Sequence, residues 1–91
     1  MNEVLTLIKG DASRDVFCRL ASIGMKEFYE ANARDFFPEV KFILADYLDY
    51  DNEQLVEHNG QRYRVLRTYR TGQELEIVVE RASAEEGGAY V

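Results

Sequence analysis

Apolar and polar residues alternate along several short stretches of the chain, which is the pattern of β-strands. The first stretch, residues 4–8, ends at a turn signal in residues 9–11. The second, residues 15–23, carries apolar residues on both faces, so we expect a strand that is covered on both sides. The third, residues 40–47, places Val40, Phe42 and Leu44 on one face. These stretches predict a β-rich protein.

The period changes between the second and third predicted strands. Residues 25–37 carry Phe28, Tyr29 and Phe36 at mixed spacings among charged residues. We predict a short helix over residues 26–33, with Ser22 as its candidate N-cap. The segment 35–38 ends it, because proline disfavours helix in the residue before it. A helix this short is stable only when it is packed against the rest of the protein.

Asn59-Gly60 is the strongest local signal in the sequence. A two-residue type I′ turn needs positive φ at both central positions, and these two residues tolerate it. The turn joins a fourth short strand, residues 54–57, to a long fifth strand. The predicted register pairs His58 with Gln61, Glu57 with Arg62, Val56 with Tyr63 and Leu55 with Arg64.

A second hairpin is predicted around Thr71-Gly72-Gln73. We expect a three-residue loop with Gly72 in the left-handed region, because that register sets arginines opposite acidic residues. It pairs Arg70 with Glu74, Thr68 with Glu76, Leu66 with Val78 and Arg64 with Glu80. Arg67 then falls on the apolar face between Val65 and Tyr69, which indicates a barrel mouth, a buried pair or an interface.

The chain is long enough for one domain, which we place at residues 1–81 of 91. Residues 82–91 are small, acidic and glycine-containing, so we expect a flexible tail. A formal net charge of −6 argues against a general affinity for nucleic acid. The arginines and tyrosines of residues 58–71 therefore form either a charge-paired strand face or a local nucleic-acid groove, and their acidic cross-strand partners favour the first.

Few side chains in the sequence could carry chemistry. Cys18 is the only cysteine, and we expect a buried thiol. His58 is the only histidine, and we expect it to face solvent beside the turn. The acidic residues Asp46, Asp49, Asp51 and Glu53 lack the glycine and the spacing of a calcium-binding loop, which indicates a solvated loop.

No zinc-ligand set, phosphate-binding loop or catalytic constellation can be assigned in the sequence. We therefore expect no enzyme activity, no metal and no cofactor. The sequence has neither the basic start of a signal peptide nor an apolar run of membrane-spanning length. We expect a cytoplasmic protein without a membrane partner.

The elements together predict a mainly β fold, a small antiparallel barrel or sandwich of five or six strands with one short helix or loop excursion between strands 2 and 3. Four stretches of the chain carry a resemblance: "RDVFCRLASIGMKEFYEA", "PEVKFILADYLDY", "VEHNGQRYRVLRTYRT" and "LEIVVER". In order and spacing they resemble blocks of the head-tail joining, or head-closure, family of tailed bacteriophages and prophages. The resemblance covers residues 4–81. The chain departs from the family pattern at residues 35–37, where relatives commonly carry Gly-Leu-Lys, and at His58, where tyrosine is usual.

The resemblance implies a structural virion component that forms a ring, six- or twelve-fold, beneath the portal and its adaptor protein. Such a ring retains packaged DNA, which it touches only transiently in the channel, and provides the surface on which tail proteins, including the tail terminator, dock. The resemblance places the protein in the virion neck, after assembly in the host cytoplasm.

In relatives the excursion between the second and third strands projects into the channel as a stopper. By that resemblance the stopper segment of this chain consists of Lys26, Glu27, Phe28, Tyr29, Glu30, Arg34, Phe36 and Phe37. A competing interpretation is that Phe28 and Tyr29 cap one end of the barrel. The candidate subunit or adaptor contacts are Arg62, Arg64, Arg67, Tyr69 and Arg70, because a ring needs heterologous surfaces on each protomer.

Two other functions stay open. A related neck or tail-completion protein would share the small barrel and the ring assembly. A small-barrel nucleic-acid-binding module would bind single-stranded DNA or RNA in a salt-dependent manner, and would lose that binding when Arg62, Arg64 and Arg70 are changed together.

Overall fold

The computed structural model describes residues 3–82, so nearly all of the predicted tail lies outside the described residues. Six antiparallel strands close into a barrel in the order β1-β2-β3-β6-β5-β4. The strands are β1 (Glu3–Lys9), β2 (Ala12–Ala21), β3 (Val40–Leu44), β4 (Leu55–His58), β5 (Gln61–Thr71) and β6 (Glu74–Arg81), and helix α1 (Met25–Asn32) lies between β2 and β3. The predicted fold class is confirmed, and of the two predicted forms the protein adopts the barrel.

The core fills the interior of this barrel. Its largest fully buried side chains are Phe42, Leu5, Leu7, Leu44, Ile77, Val56 and Val79. They come from four strands on which inward positions alternate with outward ones, as the period of two predicts. Val40 packs against the same cluster, so the predicted shared face of Val40, Phe42 and Leu44 is confirmed.

The Asn59-Gly60 hairpin has the predicted geometry. Asn59 has φ 52° and Gly60 has φ 79°, both in the left-handed region that the type I′ turn requires. All four predicted pairs between β4 and β5 are present, from His58 opposite Gln61 to Leu55 opposite Arg64.

The turn between β5 and β6 differs from the predicted one. It contains two residues rather than three, and Gly72, the first of them, has φ 61°. A two-residue type II′ turn requires a glycine with positive φ at its first position. This backbone preference outweighs the cross-strand charge pairs that favoured the longer loop. The pairs next to the turn are Thr71 with Glu74, Arg70 with Leu75, Tyr69 with Glu76, Thr68 with Ile77 and Arg67 with Val78.

A β-bulge at Leu66 separates this part of the ladder from the rest of β5. Beyond the extra residue, Val65 pairs with Val79 and Arg64 with Glu80, the latter as predicted. The bulge turns Arg67 to the outer face of the sheet, where it lies opposite Val78 while the core residue Ile77 faces inward. The prediction that Arg67 and Tyr69 share a face with Val65 is therefore wrong.

Helix α1 lies within one residue of its predicted bounds, but its N-cap is different. Gly24 is the N-cap residue, and no side chain caps the helix, so Ser22 does not have the predicted role. After Asn32 the chain turns through Asp35, which has φ 64°. The amides of Arg34 and Phe36 both donate to the carbonyl of Ala31, which holds this turn together.

Three predictions about burial are wrong. Phe17 is 65% exposed, so β2 is not covered on both sides. His58 is 9% exposed because it alternates with Glu57 and lies on the inner side with Val56, where its Nε2 atom lies 3.1 Å from Glu3 Oε1. Its ring packs against Phe42 at a centroid distance of 5.3 Å.

The acidic loop is solvated at Asp49 and Asp51, which are exposed, but not at Glu53, which is buried. The Glu53 carboxylate accepts the amide of Asp51 at 2.7 Å and lies 3.1 Å from the Arg14 guanidinium. The hydroxyl of Tyr50 donates to the Glu53 carbonyl, and burial together with the charge of Glu53 raises the pKa of Tyr50 to about 12.

The loop also contains a short 3₁₀ helix, Tyr47–Asp49, capped by the Asp46 side chain. This loop closes one end of the barrel, since Tyr47 and Tyr50 pack against the core.

Candidate functional site beside the helix

Helix α1 and the segment that follows it lie along the outer wall of the barrel and enclose a groove of about 570 Å³. The barrel contributes Leu66, Arg67 and Val78 to its lining, and the excursion contributes Glu27, Glu30, Ala31, Ala33, Arg34, Phe36 and Pro38. Two predicted sets of residues therefore meet here, since Glu27, Glu30, Arg34 and Phe36 belong to the stopper segment and Arg67 to the candidate contacts. The groove is the candidate functional site.

Glu27 anchors the helix to the barrel wall. Arg67 Nη2 donates to Glu27 Oε2 at 2.6 Å, and Lys41 Nζ lies 3.1 Å from Glu27 Oε1. Lys41 also lies 3.6 Å from Glu76 Oε1 on the neighbouring strand. Burial alone would raise the pKa of the Glu27 carboxyl, but the hydrogen bonds and charges of Arg67 and Lys41 outweigh burial and lower it. The helix is thus held by a charged cluster rather than by a buried apolar face.

A second anchor holds the C-terminal end of the excursion. The buried Glu80 carboxylate accepts the amide of Phe37 at 3.0 Å and also forms an ion pair with Arg64. Arg81, the residue after Glu80 on β6, donates from its Nη2 atom to Glu39 Oε2 at 2.9 Å. The groove is therefore fixed at both ends by residues of β5 and β6.

The excursion presents an unusual amount of apolar surface to solvent. No residue of α1 is buried. Tyr29 is 64% exposed and Phe37 is 59% exposed, and Met25, Phe28 and Phe36 are also exposed. Large apolar side chains that are exposed together in one short segment of a small protein indicate a contact surface. Phe28 and Tyr29 are not members of the core cluster, so they do not cap the barrel as the competing interpretation requires.

The remaining predicted contact residues lie outside the groove. Arg62 pairs with Glu57 at 3.3 Å, and Arg64 pairs with Glu80. Arg70 does not pair with Glu74 as predicted. Its guanidinium lies 3.5 Å from the centre of the Tyr47 ring, and its Nε donates to the Gly72 carbonyl. Tyr69 is exposed on the outer face. The arginines of β5 are thus engaged within the protein, which supports the charge-paired interpretation over the nucleic-acid groove.

Within residues 3–82, no cluster of three or more histidine, cysteine, aspartate or glutamate side chains is arranged to hold a metal ion. Cys18 is buried as predicted, and burial together with the negative charge of Glu3 raises the pKa of its thiol to about 11. No helix in the described part of the chain is long and apolar enough to cross a membrane.

Sequence reasoning missed the four barrel residues on which the site depends, namely Lys41, Leu66, Val78 and Glu80. Lys41 and Val78 occupy outward positions that alternate with core residues, so the strand pattern alone could have placed them on the outer wall. Glu80 was predicted as a partner of Arg64, but no feature of the sequence indicates that its carboxylate also accepts the amide of Phe37.

The chain was compared with known proteins at three levels. No protein-family model, no curated protein sequence and no solved structure matches it.

Proposed function

We propose that this protein is a head-tail connector of a tailed bacteriophage or prophage. In this role it forms a ring beneath the portal and its adaptor, retains the packaged DNA and presents the surface on which the tail docks. The ring would lie in the virion neck and contact the tail proteins on its opposite side.

The observation that carries the proposal is the position and surface of the excursion. The four stretches that resemble the head-closure family fall in sequence on β2 and α1, on β3, on the β4–β5 hairpin and on β6. The resemblance implies a small barrel with an excursion between its second and third strands, and α1 emerges at that point. Its exposed aromatic residues provide apolar surface for contacts with other proteins.

The charge of the excursion suits a channel through which DNA must pass. Residues 22–39 carry Lys26 and Arg34 against Glu27, Glu30, Asp35 and Glu39, so carboxylates are in excess. A surface with this balance does not bind phosphate strongly, because the counterion release that favours DNA binding needs clustered cations. We assign the side of the barrel that carries α1 to the lumen of the ring, and other parts of the barrel's outer surface to contacts between subunits.

The first test is to delete the gene from its phage or prophage, induce, and image the particles while measuring packaged DNA. Head closure predicts tailless capsids that lose their DNA, beside complete free tails, and rescue by the purified protein. Stable full heads with defective tails would assign the protein to tail completion instead. Normal infectious particles would refute the connector proposal.

A pair of matched variants sharpens this test. Phe37→Ser removes an exposed aromatic ring from the excursion, whereas Phe17→Ser removes one that is similarly exposed on β2. Both purified proteins should fold, since neither ring contributes to the core. Phe17→Ser should rescue particle assembly and Phe37→Ser should not. Equal rescue by the two variants would count against a functional role for the excursion.

A further inference from the structure

The barrel is closed, but two of its strands extend past one of their neighbours. Residues 67–71 of β5 pair with β6, whereas the pairs between β5 and β4 end at Arg64. Residues 12–17 of β2 pair with β1, whereas the pairs between β2 and β3 begin at Cys18. Each of these two segments has one edge with which no strand of the described part of the chain pairs. An open edge of this kind is a template for a further strand.

Backbone groups of β5 point to its open edge. The amide of Glu39 donates to the carbonyl of Val79, so Val79 and, two residues before it, Ile77 direct their backbone groups to β3. Thr68 lies opposite Ile77, so the N–H and C=O groups of Thr68 and, two residues on, of Arg70 point away from β6. All residues from 67 to 71 are exposed.

The same alternation applies to β2. Phe42 pairs with a residue of β6 that points to β3, so the backbone groups of Phe42 are directed to β6 and those of Ile43 to β2. Arg19 lies opposite Ile43 and is directed to β3. Counting back by two from Arg19, the backbone groups of Asp15 and Ser13 point to the open edge of β2. Both residues are exposed.

The two open edges fit each other when the two copies have the same orientation. β2 and β5 run in opposite directions, because β3 and β6 separate them in the barrel order and all neighbouring strands are antiparallel. β2 of one copy beside β5 of the next is therefore an antiparallel pair in which neither copy is inverted. A contact between two unlike edges is heterologous, and it closes into a ring when the rotation between copies allows it.

One register brings opposite charges together. In this register Ser13 of one copy lies opposite Arg70 of the next. Asp15 then lies opposite Thr68, so the backbone groups of both edges face each other. Arg70 lies between Asp11 and Asp15, which are its diagonal neighbours on the same face and within reach of a long side chain. Both aspartates are exposed.

We infer that copies of this chain assemble edge to edge, with residues 67–71 of one copy and residues 12–16 of the next in an antiparallel ladder. Main-chain hydrogen bonds hold the two edges together, and the aspartates on either side of Arg70 fix the register. The ladder itself stands on the two open edges. Its closure into a ring rests on the proposed function, for which it names the contact between subunits.

Disulfide cross-linking of the purified full chain tests the ladder. The register places Ala12 of one copy opposite Thr71 of the next in a pair without mutual hydrogen bonds, where a Cα separation of about 4.5 Å suits a disulfide. Under mild oxidation, an equimolar mixture of the Ala12→Cys and Thr71→Cys proteins should give a mixed disulfide in about tenfold excess over either homodimer, because pairing raises the effective concentration of these two thiols. The native thiol of Cys18 is buried and does not compete.

Arg19→Cys is the matched control, since Arg19 is exposed on the same strand at a point where β3 covers the edge. Its mixture with Thr71→Cys should give no excess of mixed disulfide. Thr68→Pro, added to the Thr71→Cys chain, should abolish the excess, because proline removes the N–H at the open edge and leaves the bonds to β6 in place. Asp15→Arg, added to the Ala12→Cys chain, should lower it without touching the backbone.

Equal yields of the mixed disulfide and the two homodimers, or a mixed yield no higher than that of the Arg19→Cys control, would overturn the inference. The gene deletion described above separates this failure from failure of the proposed function. Mixed disulfides together with normal infectious particles would refute the connector and leave the ladder in place. Tailless capsids that lose their DNA, without an excess of the mixed disulfide, would support the connector and refute the ladder.

Discussion

Deletion of Leu66 should be tolerated, although it removes a residue from the middle of a barrel strand. Leu66 is the extra residue of the bulge, between the pairs Val65–Val79 and Arg67–Val78. Its removal leaves these pairs in place and makes the ladder regular, so no side chain changes face. The loss is the packing of one half-buried leucine, which is worth about 1 kcal/mol.

Deletion of Glu76 is the control for this prediction. Glu76 is also half-buried, but it lies in a part of β6 that pairs regularly with both β3 and β5. Its removal would move Leu75 from the core to the outer face and turn Glu74 inward. The loss of one core leucine alone costs about 2–5 kcal/mol, and a small domain has only about 5–15 kcal/mol of stability in total.

Urea unfolding followed by circular dichroism measures both effects. We expect the Leu66 deletion to unfold cooperatively, with a free energy of unfolding lower by about 1 kcal/mol and a melting temperature lower by about 4–8 °C. The Glu76 deletion should show no cooperative transition. If the two deletions are equally harmful, or if only the Leu66 deletion fails to fold, the bulge and the register derived from it are refuted.

Three further predictions concern the anchors of the excursion and the single thiol. Glu80→Ala should lower the free energy of unfolding by about 2–3 kcal/mol and Glu80→Gln by about half of that, because glutamine keeps an acceptor for the amide of Phe37. Equal losses in urea unfolding would contradict the role of Glu80 as the acceptor of that amide. Glu27→Gln should lower the free energy of unfolding by about 0.5–1 kcal/mol at pH 7 and by much less at pH 3. The lowered pKa of Glu27 adds stability that is present above the ordinary value of 4.5 and is lost as the pH falls through the lowered value. An equal loss at both pH values in urea unfolding would speak against the ion pairs. The thiol of Cys18 should react with a disulfide reagent at least about a hundredfold more slowly in the native protein than in urea at pH 8, because its pKa is raised from 9.0 to about 11, and equal rates would show that the side chain is accessible.

The fold was predictable where local rules act alone. The Asn59-Gly60 turn fixes its own register because few residues tolerate positive φ at both central positions, and the four pairs that follow from it are all present. The alternation in residues 40–44 likewise identifies the core face of β3. In these places no distant part of the chain competes with the local preference.

The candidate site was only partly predictable, because it depends on an irregularity without a sequence marker. Bulges often contain glycine, but here the extra residue is Leu66, which fits a regular strand equally well. The burial of His58 and of Glu53 was missed for a related reason. Each lies beside a turn or in a loop, where polar residues are usually solvated. His58 nevertheless follows the inward alternation of β4, where Glu3 lies beside its ring, and the buried carboxylate of Glu53 is paired with Arg14 of β2.

The bulge explains how an arginine of a core strand comes to hold the excursion. If the register of the Val65–Val79 pair continued past Leu66 without the bulge, Arg67 would lie opposite Ile77, on the inner side of the wall and out of reach of Glu27. With it, Arg67 lies opposite Val78 and binds Glu27, and α1 is fixed over the outer wall. Deletion of Leu66 retains that pairing but removes part of the groove lining, so the variant separates the ion pair from the apolar lining as the cause of the position of the helix. If the variant keeps the Glu27 ion pair and the helix stays in place, the register of β5 positions the helix and the side chain of Leu66 is not required.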